Sequence, residues 1–278
     1  MKTKQFLLQV IGGHNKPITK MIKGSSDDSN PTILTAGSDG RVVEWTVADG
    51  STRVVQGEGH GAQINGLCSV GGTQLATVGI DDSLKIFDQV SGKYESGLAS
   101  KLSGQPKGID HKGDLTLVST INSLTMVSTA VQHCKTKITY PFFGFFYLNF
   151  DFAFQLRNNQ VVHETKVNFE PSAISILNDE EFAVGESSGG NTVYIYGVTG
   201  DGGMEERKKI ALSGAVTDLC YSPDGSYLVT SDGNRKVTLF SVANDYQKAT
   251  TREWGFHTAK VNCVAWSPNS LFVASGAC

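Results

Sequence analysis

Two groups of residues in this sequence have side chains that could act together on a substrate. His14, Thr35, Asp39 and Trp45 form one, and His60, Thr77, Asp81 and Phe87 the other. A histidine, a carboxylate and a hydroxyl are the parts of a nucleophilic hydrolase, in which the imidazole takes the hydroxyl proton and the carboxylate orients the ring. The spacing repeats: Thr35 to Asp39 and Thr77 to Asp81 are 4 residues, Asp39 to Trp45 and Asp81 to Phe87 are 6. Repetition weighs against catalysis. An enzyme needs one such set, whereas a set recurring at one place in each structural unit is architecture. In that reading the Asp sits in a tight turn between strands and accepts hydrogen bonds from the histidine and the turn backbone. The hydroxyl and the indole N–H complete a satisfied buried network. A later unit keeps Thr230 and Asn234 before Phe240 without a matching histidine.

Other chemistry is thinner. Cysteines stand at 68, 134, 220, 263 and 278 with no Cys-x-x-Cys pair, so neither a disulfide framework nor a zinc site is expected. Cys68, Cys220 and Cys263 occupy similar places beside apolar neighbours, which reads as core packing. Gly57-Glu58-Gly59-His60-Gly61 lacks the dinucleotide-binding pattern, and no phosphate-binding loop motif occurs. Glu205-Glu206-Arg207-Lys208-Lys209 mixes signs and reads as a solvated loop. No catalytic residue, cofactor site or metal site is assigned.

The elements that would position these groups are short strands in a repeat. Cys220-Tyr221-Ser222-Pro223-Asp224-Gly225-Ser226-Tyr227-Leu228-Val229-Thr230 and Val264-Ala265-Trp266-Ser267-Pro268-Asn269-Ser270-Leu271-Phe272-Val273-Ala274 are each strand, polar turn, strand. Weaker copies turn at Ser29, Gly71, Lys112 and Asp179, giving successive intervals of 42, 41, 67, 45 and 45 residues. Four of these match the ~40–45 residues of a four-stranded propeller blade. Strands ending in an aromatic residue follow most turns: Trp45, Phe87, Tyr196 and Phe240. Alternation at period two marks strands with one buried face.

The long interval contains Tyr140 to Phe154, which holds 7 of the 14 phenylalanines. It is too short and too polar, with Asn149 and Asp151, for a membrane span of ~20 residues. It reads as a sticky loop for a partner or as an insertion without a role. The second is favoured because loops tolerate insertion.

Composition bounds the rest. A net charge of −3 excludes a strongly basic nucleic-acid binder. Charged residues at 18% argue against a coiled coil or charged disordered tail, and 31 glycines suit many tight turns. The apolar core of the first eight residues is too short for a secretory signal, and Asn30-Pro31-Thr32 is no glycosylation site. The chain reads as soluble, reduced and cytoplasmic, with no nucleic acid or membrane partner.

Gly13-His14, Gly59-His60, Gly37-Ser38-Asp39-Gly40 and the strand-ending aromatics resemble WD repeats, the blades of β-propellers. Less general stretches resemble the carboxy-terminal propeller of the actin-interacting protein 1 family, nematode members in particular. They include Gly12-Gly13-His14-Asn15-Lys16-Pro17-Ile18-Thr19, Ser100 to Gly108, Ser241 to Tyr246 and Phe256 to Pro268. That resemblance implies a non-enzymatic cytoskeletal protein that binds actin filaments decorated with cofilin (actin-depolymerising factor). Such proteins promote severing and disassembly, restrain regrowth at barbed ends and work as monomers of two linked seven-bladed propellers. Muscle thin filaments are a fitting setting. A WD-repeat scaffold for another multiprotein complex is the alternative.

The fold expected is all-β: a WD-repeat β-propeller with about five and a half blades of seven. Residues 1–278 would form this single partial propeller. Residues 1–11 would be an outer strand of a preceding blade, about 135–165 the aromatic-rich insertion, and 260–278 a truncated sixth blade. An incomplete chain is therefore expected, and its actin- and cofilin-contacting residues are not assigned. Sequencing the transcript across codons 135–165 and past codon 278 checks this: the expectation requires further blades to follow.

Overall fold

The computed structural model describes residues 13–24, 29–113, 115–128, 131–142, 146–157, 160–187, 189–200, 202–250 and 254–277. The expected strand over 1–11 lies outside them. Among the described residues the chain is strand and turn throughout, with no helix. The first sheet is β1 (Ile18–Lys23), β2 (Thr32–Gly37), β3 (Val42–Thr46) and β4 (Thr52–Val54), and the second β5 (Ile64–Ser69), β6 (Gln74–Gly79), β7 (Ser83–Asp88) and β8 (Lys93–Lys101). Next come β9 (Pro106–Lys112), β10 (Leu115–Thr120) and β11 (Ser123–Ser128), then the paired strands β12 (Val131–Phe142) and β13 (Phe146–Arg157). β14 (Gln160–Lys166) returns to pair with β11 and completes the third sheet in the order β14-β11-β10-β9.

The fourth sheet is β15 (Pro171–Asn178), β16 (Glu181–Glu186), β17 (Thr192–Val198) and β18 (Met204–Ala211). The fifth is β19 (Val216–Tyr221), β20 (Tyr227–Asp232), β21 (Val237–Ser241) and β22 (Gln247–Lys248). β23 (Val261–Trp266) and β24 (Val273–Ala277) pair as a two-stranded sheet. Five four-stranded antiparallel blades and this sixth pair make up the propeller arrangement. The long interval of the repeat is β12 and β13, which enter between the third and fourth strands of the third blade. Gln160–Lys166, within the stretch expected as insertion, is that blade's own outer strand.

No blade has a core of its own, because the apolar faces of neighbouring sheets bury each other. Leu34, Ala36 and Val42 of the first sheet cluster with Ile64, Leu67 and Phe87 of the second. Ala76, Val78 and Leu84 of the second meet Ile109 and Val118 of the third, and the pattern continues to Val229 and Val237 against Val261 and Val264. The first and fourth residues of an inner strand carry these contacts: Ile64 and Leu67, Val216 and Leu219, and Val261 and Val264 are all buried. Each such side chain stabilises the fold by about 1.5–3 kcal/mol.

Polar groups tie the inner strands together. The Thr19 hydroxyl donates to the Ile64 carbonyl at 2.5 Å and the Asn65 amide to the Pro106 carbonyl at 2.7 Å. Farther round the direction reverses. Asp110 accepts the N–H of Ile176 at 2.7 Å, Ser175 that of Tyr221 at 3.2 Å, and Asp218 that of Val264 at 3.0 Å. At the outer side two clamps recur. Arg53 holds Glu44 and reaches the Val90 carbonyl of the next sheet, while the Gln89 amide donates to Glu44 at 2.7 Å. Lys208 donates to the Asp245 carbonyl of the next sheet at 2.7 Å, and the Tyr246 hydroxyl donates to Glu181.

Burial pushes the Asp110 carboxyl up to about 6, against the backbone N–H groups of Ile176 and His111 and the charges of Lys20 and Lys112. Its folded value lies above its unfolded one, so its contribution is complete below about pH 4 and lost as pH rises through about 6. His60, held below its ordinary value of 6.5 mainly by burial, works the other way, its contribution lost as pH falls below that value. Asp110→Asn keeps an acceptor for Ile176 and removes the charge. Urea denaturation at pH 7.5 is expected to show the variant more stable than the parent by on the order of 2 kcal/mol, a gain that falls away at about pH 3.5.

Candidate functional site

The sites expected from the sequence lie where the link before an inner strand meets the turn between the second and third strands. In the first sheet His14 bonds Asp39 Oδ1 through Nδ1 and Thr35 Oγ1 through Nε2, both at 2.9 Å. Trp45 Nε1–H donates to the same Thr35 oxygen at 2.7 Å. The backbone N–H groups of Asn15 and Arg41 donate to Asp39 at 3.0 and 3.2 Å. All four expected residues meet. His14 Nδ1–H donates to Asp39 and Trp45 fills a Thr35 lone pair, while the Thr35 hydroxyl stands within reach of both His14 Nε2 and the Val43 carbonyl. Burial opposes ionisation of Asp39, but the His14 and backbone hydrogen bonds outweigh it and hold the carboxyl below its ordinary value.

The second sheet repeats the geometry. His60 meets Asp81 Oδ1 at 2.8 Å and Thr77 Oγ1 at 2.9 Å. Ser83 adds a hydroxyl to Asp81 at 2.7 Å. Phe87 has no N–H to offer and packs instead against Tyr94, with ring centroids 5.4 Å apart. The Tyr94 hydroxyl lies beside Thr77, buried and without a hydrogen-bond partner of good geometry. Burial opposes ionisation of Asp81 too, yet Ser83 and His60 hold it low. Burial also keeps the His60 imidazole neutral near pH 7 despite Asp81.

Glycines make room for the imidazoles. A Cβ on Gly37 would meet His14 Nδ1 at 2.5 Å, and one on Gly79 would meet His60 Nδ1 at 2.6 Å. In the fifth sheet the register puts Asp232 in that glycine position, since Val216 pairs with Asp232 as Ile64 pairs with Gly79. No histidine occupies the space there, and the Asp232 carboxylate fills it. It accepts from Ser213 Oγ at 2.5 Å and from the N–H groups of Asn234 and Lys236 at 2.9 and 3.1 Å. Thr230 keeps its place and Asn234 stands where the Asp stands elsewhere, so sequence reasoning found the slots and missed the carboxylate. It also missed a partial third copy in the sixth sheet. His257 Nε2 bonds Ser275 Oγ at 2.7 Å, and Ser275 pairs with Val264 as Thr77 pairs with Leu67. The signal was available: Phe256-His257 precedes the inner strand as Gly59-His60 does.

The geometry suits bracing better than turnover. Thr35 is 3% exposed and Thr77 0%, and each hydroxyl is engaged by histidine on one side and the strand or aromatic on the other. A nucleophile needs an open approach to its oxygen, and these have none. Burial raises the thiols of Cys68 and Cys220, the latter to about 11, which leaves them unreactive. Cys263, expected in the core with them, is exposed because no further sheet among the described residues covers that face. Among the described residues no group of His, Cys, Asp or Glu could hold a metal ion, and no helix is long and apolar enough to cross a membrane.

The contact between His60 and Gly79 gives a sharp test. Gly79→Ala is expected to destabilise the chain by about 1–3 kcal/mol through overpacking. In a His60→Ala background the same change should cost less, because the 2.6 Å contact is gone and the nearest remaining atom is Asp81 Oδ1 at 3.0 Å. Urea denaturation of both singles and the double shows this as a coupling energy.

The WD domain, G-beta repeat family matches residues 207–241 and 249–278. The chain is 38% identical over 97% of its length to actin-interacting protein 1 of Drosophila melanogaster and 30% identical over 96% to that of Caenorhabditis elegans. It is 32% identical over 96% of its length to WD repeat-containing protein 1-B of Xenopus laevis. It spans 38–39% of the length of these curated relatives. The chain thus carries WD repeats in a β-propeller arrangement and is similar along nearly its whole length to actin-interacting protein 1.

Proposed function

We propose that the chain works by binding, as a non-enzymatic actin-filament protein that promotes disassembly of cofilin-decorated filaments. The observation that carries this reading is the 38% identity to actin-interacting protein 1 of Drosophila melanogaster along 97% of the chain. The enclosed His14 and His60 sets support it from the chemical side, since they brace turns and leave no nucleophile open to a substrate. In this reading His14, Thr35, Asp39, Trp45, His60, Thr77, Asp81 and Phe87 hold the loops of one face in place. Partners are actin filaments and cofilin, in the cytoplasm and at the cytoskeleton, without nucleic acid or membrane. Free energy of binding shifts the filament toward a state that breaks more readily, with no covalent step.

Co-sedimentation of the purified chain with actin filaments, with and without cofilin, tests the reading. The expected result is a pelleted fraction that rises with cofilin, together with shortened filaments under the microscope. A chain that stays in the supernatant with cofilin present, and leaves filament length unchanged, refutes it and favours a WD-repeat scaffold for another complex.

A further inference from the structure

We infer that the ribbon of β12 and β13 is a self-association element, whose uncharged aromatic face docks on the same face of a second copy of this chain. The two strands pair antiparallel over 12 residues each, from Val131 opposite Arg157 to Phe142 opposite Phe146, with no break in register. In that register even-numbered positions lie opposite even ones and odd opposite odd, so each set shares one face of the ribbon.

The residue types divide by face. Tyr140, Phe142, Phe146, Phe150, Phe152 and Phe154 all hold even positions, and Ile138, Leu148 and Leu156 join them. The remaining even positions are Gln132, Cys134 and Thr136, so no charge falls on this face. The odd face has His133, Lys135, Lys137, Asp151 and Arg157, with Lys137 opposite Asp151. Such alternation, matched across two strands, is the pattern of a ribbon with one face for water and one for burial. An insertion under no constraint has no reason to keep it.

Something must cover the apolar face. A two-stranded ribbon is marginal in water unless that side packs. β12 and β13 form a sheet of their own, and among the described residues no third strand pairs with them. The propeller core has no place for them either, because both faces of the third sheet are taken. Val118 and Val127 cluster with Ala76 and Val78 of the second sheet, and Leu117 and Leu124 with Ile174 and Phe182 of the fourth.

A second copy fits on three counts. Two ribbons face to face make a four-stranded sandwich with layers ~10 Å apart. A face without charge can pair with itself about a two-fold axis and bury no like charges. The area also suffices. An aromatic side chain buries ~150–250 Å², so about four of the six, fully covered, reach the ~800 Å² per partner of a stable interface. A lipid surface fits less well, since this face offers no cation to anionic headgroups and the chain has a net charge of −3.

Sedimentation equilibrium of the whole chain over a range of concentrations, with no actin present, tests this independently of the actin reading. A reversible rise from the mass of one chain to that of two is expected. Phe152→Glu sets like charges against each other across the two-fold axis and should raise the dissociation constant at least about thirtyfold. Phe152→Ser, which adds no charge, should act in the same direction. Asn149→Glu puts the same charge on the odd face and should change the constant by no more than about twofold. Thermal melting of each variant separates loss of association from loss of fold. A parent that stays monomeric, open-ended aggregation in place of a closed pair, equal effects of Asn149→Glu and Phe152→Glu, or a monomer that binds phosphatidylserine vesicles through Phe152 would each overturn the inference.

Discussion

The structure depends on one constraint: no sheet can bury its apolar face except against the next sheet. Leu34 and Val42 are covered by Ile64 and Leu67 of the following sheet. Stability is then close to a sum over neighbouring interfaces, as in other repeat architectures. The inner strands are the weak place in such an arrangement, because their outward N–H and C=O groups meet no fifth strand. Thr19, Asn65, Asp110, Ser175 and Asp218 answer them one interface at a time. The chemistry of the answer varies, hydroxyl, amide or carboxylate, and so does its place: Thr19 and Asn65 are the second residues of their inner strands, Asp218 the third, and Asp110 and Ser175 the fifth. Carboxylates in this role are the costly choice, which is why burial lifts both Asp110 and Asp218 above their ordinary values.

The same logic governs the histidine sets. A link that enters an inner strand must be held to the turn of its own sheet, or the interface it begins would slide. His14 and His60 do this with a ring whose two nitrogens reach the turn carboxylate on one side and the strand threonine on the other. Where the ring is absent, a carboxylate on the neighbouring strand position does the work, as Asp232 does with Ser213. The bracing thereby occupies the inner sides of these loops.

Much of the fold was legible in the sequence because turns and strand ends recur with a period set by blade size. Ser29, Gly71, Lys112, Asp179, Asp224 and Asn269 all fall at or beside the link between the first and second strands of a sheet. The full His14 and His60 sets were legible for a related reason, since their residue types are unusual together and their spacing repeats. Less visible was whatever depends on register instead of residue type. Asp232 is an ordinary acid in the sequence and becomes a substitute brace only once it is seen to pair with Val216 in the slot of Gly79. Asp110 and Asp218 look like solvated strand residues until the next sheet's backbone is set against them. Gln160–Lys166 was hidden for want of a turn signal, because the strand that should precede it lies beyond an inserted pair.

The glycines beside the braces follow from the same economy of space. A position that must accommodate a histidine demands glycine beside it, and Gly37 and Gly79 obey. Where the histidine is absent the demand lapses, and Asp232 takes the glycine's place in the fifth sheet. The turn that follows keeps its positive φ throughout, at Gly40, Asp82 and Arg235, so the backbone shape is held while the residue type varies. The repeat itself therefore supplies the control: the first and second sheets show the loop braced by an imidazole, and the fifth shows the same turn braced by a carboxylate from the strand.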